Sequence, residues 1–360
     1  MLRRAALVLA LLTLCCAARA AAGAWQRPAP KAAKPEQSVL LSVVLAGNRL
    51  VAVGERGLIL YSDDDGRRWT QAMGPVSVTL TKALFVSPRV GWAVGHGGVI
   101  LHTDDGGQSW GRQLDGLQAA QLAATKYVAD STDPALRQQA AAARQLILDG
   151  ADKPFFDMLF VDQRTGFAVG AYGLIFHTSD GGAHWTPWME HVDNPQGLHL
   201  YGMARDGATL FIAGEQGLLL RSTDGGQQFS RVPGPYKGSY FGMVSLSGGE
   251  LYLYGLRGSL YRSVDHGAAW SKIEAPSQAS FSAAFDLSAT EAAFVNQAGQ
   301  LFVIGGTGQI LQSVPGIALA PYTSMARSAG GAWVLASMRG ISRVEPGRPT
   351  ASATGNEITK

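Results

Sequence analysis

One phrase, Ser/Thr-x-Asp-x-Gly-x-x-aromatic, recurs five times along the 360-residue chain. Its copies are SDDDGRRW from residue 62, TDDGGQSW from 103, TSDGGAHW from 178, STDGGQQF from 222 and SVDHGAAW from 263. Each follows a second phrase, Gly-x-x-Gly leading into an apolar run: GERGLILYS, GHGGVILHT, GAYGLIFHT, GEQGLLLRS and GLRGSLYRS. Two worn copies of that second phrase, GGTGQILQS at 305 and SMRGISRV at 337, bring the units to seven. Self-similarity at a fixed spacing restricts a chain to repeat architectures, in which each unit buries its apolar surface against its neighbours.

The chemistry of one unit gives its local structure. An apolar run such as Leu58 to Tyr61 lacks polar alternation and reads as a strand buried on both faces. The Gly-x-x-Gly before it is a hairpin turn, where glycine supplies the positive φ that other residues resist. After the strand, the Ser or Thr hydroxyl and the Asp carboxylate accept backbone N–H groups of a second tight turn. On this reading Asp64, Asp105, Asp180, Asp224 and Asp265 brace turns, and Trp69, Trp110, Trp185 and Trp270 open the next strand and wedge between sheets. The acids beside glycines resemble the start of a cation loop, but a cation site is not expected five times over, so neither metal nor cofactor is expected.

The first glycines of the turn phrase stand at 54, 95, 170, 214, 255 and 305, in steps of 41, 75, 44, 41 and 50. A period near 40 with four short strands per unit is that of a β-propeller blade. The expected fold class is therefore all-β: a seven-bladed β-propeller over residues 38–346, with an α-helical hairpin inserted between blades 2 and 3. The insert spans 114–152, where glycines and aromatics give way to alanine, glutamine and leucine. It predicts a helix from Leu117 to Val128 and a second capped by Asp133 and Pro134, with an apolar stripe Leu136, Ala140, Ala143, Ile147 and a stop at Gly150. The seventh unit lacks an outer strand. Residues near Trp25, in the N-terminal segment 21–37, are expected to supply it and so close the ring.

The ends bear on location. Arg3 and Arg4, an apolar run from Ala5 to Ala18 and the small-residue site Ala18-Arg19-Ala20 read as a cleaved signal over residues 1–20. That run is short of the ~20 residues a spanning helix needs, so no membrane insertion is expected after cleavage. Both cysteines, Cys15 and Cys16, fall inside it. Its three arginines account for the whole net charge of +3, so nothing points to nucleic acid. Residues 347–360 read as a polar, disordered tail. The expected compartment is the periplasm, or the thylakoid lumen in a photosynthetic source.

In a propeller blade the turns between second and third strands share one face with the connections between blades. That face is expected to carry function, and its candidates around the channel are Arg56, His96, Tyr172, Gln216, Arg257 and Arg339, with Glu55, Glu215 and Thr307 beside them. Glu190, His191, Asp193 and His199 form the densest polar cluster, whose spacing matches no metal-ligand pattern and reads as a solvated loop.

VGHGGVILHTDDGGQSW and VGAYGLIFHTSDGGAHW resemble the repeats of the BNR, or Asp-box, propellers, and in particular those of the photosystem II stability and assembly factor family. The resemblance spans the seven units and implies a non-catalytic, exported or lumenal protein that docks on a membrane complex. It also implies an arginine-rich surface patch, for which Arg56, Arg257 and Arg339 qualify by position. The helical insert departs from the plant and cyanobacterial members, so a relative from a non-photosynthetic bacterium is expected, serving a membrane-embedded envelope complex or transporter. The alternative is a glycan-acting, sialidase-like hydrolase or a lectin. Against it stand seven units rather than six, no Arg-Ile-Pro phrase and no Tyr–Glu pair at the mouth.

Overall fold

A computed structural model describes residues 23–128, 132–305, 310–315 and 317–345. The expected signal over 1–20 and the tail over 347–360 lie outside the described residues. Seven antiparallel sheets follow one another around an axis, six of four strands and a last of three. Their innermost strands are Leu40–Ala46, Leu80–Phe85, Phe155–Phe160, Leu200–Asp206, Tyr240–Ser245, Phe281–Ser288 and Tyr322–Arg327. In each sheet the strand order is the sequence order, from axis to rim. Between the second and third sheets lie helices α1 (Gly116–Lys126) and α2 (Pro134–Asp149).

Seven buried apolar clusters hold the ring, one at each interface between adjacent blades. The second strands are buried along their length, as in Leu251–Gly255, because they face a neighbouring sheet on both sides. The box aromatics sit at these interfaces: Trp69 between blades 7 and 1, Trp110 between 1 and 2, Trp185 between 2 and 3, and Trp270 between 4 and 5. Trp110 meets Phe85 edge-on at 6.0 Å, and its Nε1 donates to the Gly107 carbonyl at 3.1 Å.

Closure differs from the expectation at Trp25. That residue lies in a short 3-10 turn, Ala24–Gln26, packed on the cluster between blades 1 and 2. No fourth strand joins blade 7 among the described residues. Trp25 is recruited by apolar burial and by Arg112, which donates to its carbonyl. The segment then crosses the outer edge of blade 1, where the Ala29 and Ala32 amides bond to the Gly74 carbonyl and the Gln71 side chain, and reaches Gly340 of blade 7 at Glu36.

Blade 6 also corrects the sequence reading. Its turn between second and third strands is Asn296–Gly299, with the Asn296 amide bonded to the Gln300 carbonyl, and its third strand is Leu301–Ile304. Gly305 therefore follows that strand rather than preceding it. The turn starts of blades 5, 6 and 7 are Gly255, Asn296 and Ser337, so the step of 50 becomes one of 41 and the next, to blade 7, is also 41. Asparagine replaced the first glycine and hid the unit. Thr307 lies outside the described residues.

In the insert, Asp115 caps α1 with a reciprocal bond to Gln118. Gly150 ends α2 at φ 74, its amide bonded to Leu146. The inward stripe of α2 is the buried Ala140 and Ala143 with the half-buried Leu146, whereas Leu136 and Ile147 are exposed. The helix lies close on blade 3, and small residues permit that approach.

Candidate functional site: the channel mouth

Every box forms the same bond set. Thr103 Oγ1 donates to Asp105 Oδ1 at 2.8 Å and accepts the Gly107 amide at 3.0 Å, while the Ser109 amide donates to Asp105 at 3.0 Å. The arrangement recurs at Asp64, Asp180, Asp224 and Asp265 with their own hydroxyls and amides. Burial pushes the Asp105 carboxyl up, but bonds from Ser109, Thr103 and Gln108 outweigh it and hold the group at about 2. Asp180 is held at about 2 by the amide and ring of His184. These oxygens are occupied by the turn itself. Among the described residues no cluster of His, Cys, Asp and Glu is arranged to hold a metal ion.

The other face is built differently. The first glycine of each turn is extended, at φ −171 for Gly54. It is needed because a Cβ there would lie 2.1 Å from the Val39 carbonyl oxygen, and the same crowding recurs at Gly95, Gly170, Gly214 and Gly255. Positive φ falls on the last two places of the turn, the final glycine and the residue before it. In four blades that residue is Arg56, Tyr172, Gln216 or Arg257, at φ 52 to 56. Blade 2 has Gly97 there at φ 70, which puts His96 one position earlier, in register with Glu55.

All six mouth candidates are exposed, and no hydrogen bond, ion pair or ring contact joins one to another. The guanidinium groups of Arg56, Arg257 and Arg339 have no ion-pair partner among the described residues. Arg56 shares a shallow hollow with Arg27. Tyr172 alone enters a larger assembly, through His199 at 4.8 Å.

That assembly is the feature the sequence reading missed. Near the start of each innermost strand the register slips by one residue, a β-bulge repeated in all seven blades. The unpaired residues are Leu41, Thr81, Phe156, Tyr201, Phe241, Ser282 and Thr323, and all seven line the axial cavity of about 130 Å³. A bulge re-aims one side chain while the sheet continues. Three of these hydroxyls brace the ring by donating to the next blade: Thr81 to Phe155, Ser282 to Tyr322 and Thr323 to Leu40, at 2.6 to 2.8 Å.

The aromatic bulge residues fall together in blades 3, 4 and 5. Phe156 and Tyr201 lie 5.5 Å apart, and Tyr201 and Phe241 lie 5.7 Å apart. His199 extends the arc, 5.8 Å from Tyr201, and its Nδ1 accepts the Tyr172 amide at 2.8 Å. Burial and the nearby Glu215 carboxylate raise the Tyr201 phenol, which stays neutral. Below the mouth, Asp157 accepts the Met158 and Met203 amides and faces Lys82 at 3.7 Å. Each bulge residue follows the first residue of its innermost strand, a place the sequence does not mark until the strand start is known.

The polar cluster of residues 190–199 is dispersed. Glu190 bonds Lys126 and Tyr127 of the insert, His191 stacks on Trp188 at 3.8 Å, and Asp193 accepts the Arg231 amide. It anchors the insert on blade 3.

A ring of seven bulges around an aromatic mouth, with the box carboxylates bonded within their own turns, defines a seven-bladed β-propeller. Residues 137–342 match the family model described as Photosynthesis system II assembly factor YCF48, and the chain belongs to that family. It is 40% identical over 76 residues to the photosystem II assembly lipoprotein Ycf48 of Synechococcus sp. (strain CC9902). That match spans 21% of this chain and only 23% of the relative's length. A solved structure of YCF48 bound to D1 peptide is similar over 87% of this chain and 95% of its own, with TM-score 0.62 and 16% identity. For YCF48 from Cyanidioschyzon merolae the values are 90%, 99%, 0.61 and 14%. The family is one of assembly factors rather than enzymes, which sets the hydrolase alternative aside.

Proposed function

We propose that this chain is an exported docking factor that holds an extended segment of a membrane-embedded complex across the aromatic mouth. The observation that carries the reading is the arc Phe156–Tyr201–Phe241, half-buried and aimed into the channel by three consecutive bulges. Aromatic side chains give large contact area at small entropic cost, and rigid strands hold them in place. Three unpaired arginines on the same face suit acidic groups flanking the segment. Four turns hold a non-glycine residue at positive φ where blade 2 has glycine, at a cost of order 1 kcal/mol each, which favours a use for those side chains. The peptide-bound relative supports the same reading. Among the described residues no helix is long and apolar enough to cross a membrane.

The test is affinity capture from detergent-solubilised envelope with the mature chain immobilised. Wild type retains a membrane-spanning complex, and the double variant Tyr201→Ala, Phe241→Ala loses it. Retention of no membrane protein, or equal retention by the variant, overturns the reading.

A further inference from the structure

Beside the mouth, α2 overhangs the turn of blade 3 and leaves a cleft of about 320 Å³, within the range of roughly 300–1,000 Å³ usual for ligand sites. Its floor is apolar: Leu146, Leu174, Met189 and Val192. Its rim carries the amide side chains Gln138, Gln139 and Gln145. Gln138 donates an N–H to the Pro195 carbonyl at 2.6 Å and Gln145 one to Asp149 at 2.6 Å, so the rim holds both side chains by their nitrogens and keeps their amide oxygens as acceptors. The rim's cation is already neutralised. Lys153 lies 2.8 Å from Asp149 and 2.9 Å from Asp152, and 5.0 Å from the Tyr172 ring centre.

A site with an apolar floor, amide acceptors and no uncompensated cation selects an uncharged ligand that presents N–H groups and aliphatic side chains. A polypeptide main chain in extended form has that chemistry. The cleft also shares a wall with the mouth, because Tyr172 lines it and touches His199 of the arc. We infer that the cleft between α2 and blade 3 is a second subsite that grips an uncharged stretch of the client's chain next to the part lying across the mouth. This rests on the docking reading above and makes the insert a specificity element.

The experiment uses the mature chain and an array of terminally blocked nonapeptides, with an aliphatic centre or the same centre replaced by Asp or Lys, beside a glycan array. Ala142 is exposed on α2 and lines the cleft, so Ala142→Trp fills it without disturbing the buried face. Arg144→Trp, on an exposed position outside the lining, is the control. The expected result is binding of aliphatic-centred peptides, at least tenfold weaker in Ala142→Trp, unchanged in Arg144→Trp and lost with a charged centre. No peptide binding, equal binding by Ala142→Trp, or glycan binding in its place overturns the inference. Envelope capture by wild type is run in parallel. Capture without peptide binding removes only the subsite, and peptide binding without capture removes the docking reading.

Discussion

Thr323 donates from Oγ1 to the carbonyl of Leu40 at 2.7 Å, joining the last blade to the first across 283 positions of sequence. The bond has the same form as Thr81 to Phe155 and Ser282 to Tyr322, which join blades that follow one another in the chain. The closing interface is thus chemically like the others, and Ser324 adds an acceptor for the buried Val43 amide at 3.0 Å. Arg343 donates to the Asp65 carbonyl and the Gly330 amide to the Asp65 carboxylate, which secures the outer part.

Removing that acceptor tests the closure. Ser324→Ala leaves the Val43 amide buried without a partner, which costs about 1–3 kcal/mol. The melting temperature is expected to fall by several degrees, read by calorimetry. An unchanged melting temperature shows that the ring is held elsewhere.

Acid tests the turn braces. Asp105 and Asp180 titrate at about 2 in the folded chain, against roughly 4 when unfolded. A depressed folded value gives stability that is present above pH 4 and lost as pH falls towards 2. Urea midpoints between pH 5 and 2 are expected to drop through that window. Asp105→Asn, which weakens one brace by about 1 kcal/mol by analogy with helix caps, flattens the drop.

The anchor of the insert is separable from the propeller. Burial raises the Glu190 carboxyl, but Lys126 and Tyr127 outweigh it and hold it below the usual range. Glu190→Gln is expected to speed amide exchange in α1 roughly tenfold, equivalent to about 1.4 kcal/mol, with exchange in the blades unchanged. Exchange mass spectrometry reads both regions at once. The wild type should loosen in the same place as pH falls below about 4.

Backbone strain separates stability from docking. Arg56 stands at φ 52 where blade 2 has Gly97, so Arg56→Gly is expected to hold or raise stability by up to about 1 kcal/mol and to weaken client retention. By contrast, an alanine at Gly57 would place Cβ 1.9 Å from the Val76 carbonyl oxygen, so Gly57→Ala destabilises. Denaturant midpoints and capture yields give both comparisons.

The repeat phrases determined the number of blades, the order of strands, the position of the insert and the box turns, because each depends on residues close in sequence. A turn phrase carries its own bonds, as Thr103, Asp105 and Gly107 do within five residues. Tertiary structure decided what depends on approach between blades. Trp25 went to the groove between blades 1 and 2, where apolar burial and Arg112 on its carbonyl hold it, and among the described residues no fourth strand joins blade 7. The aromatic arc exists only because seven bulges turn Phe156, Tyr201, Phe241 and their equivalents towards one axis, and a register slip of one residue leaves no mark in the alternation of a single strand.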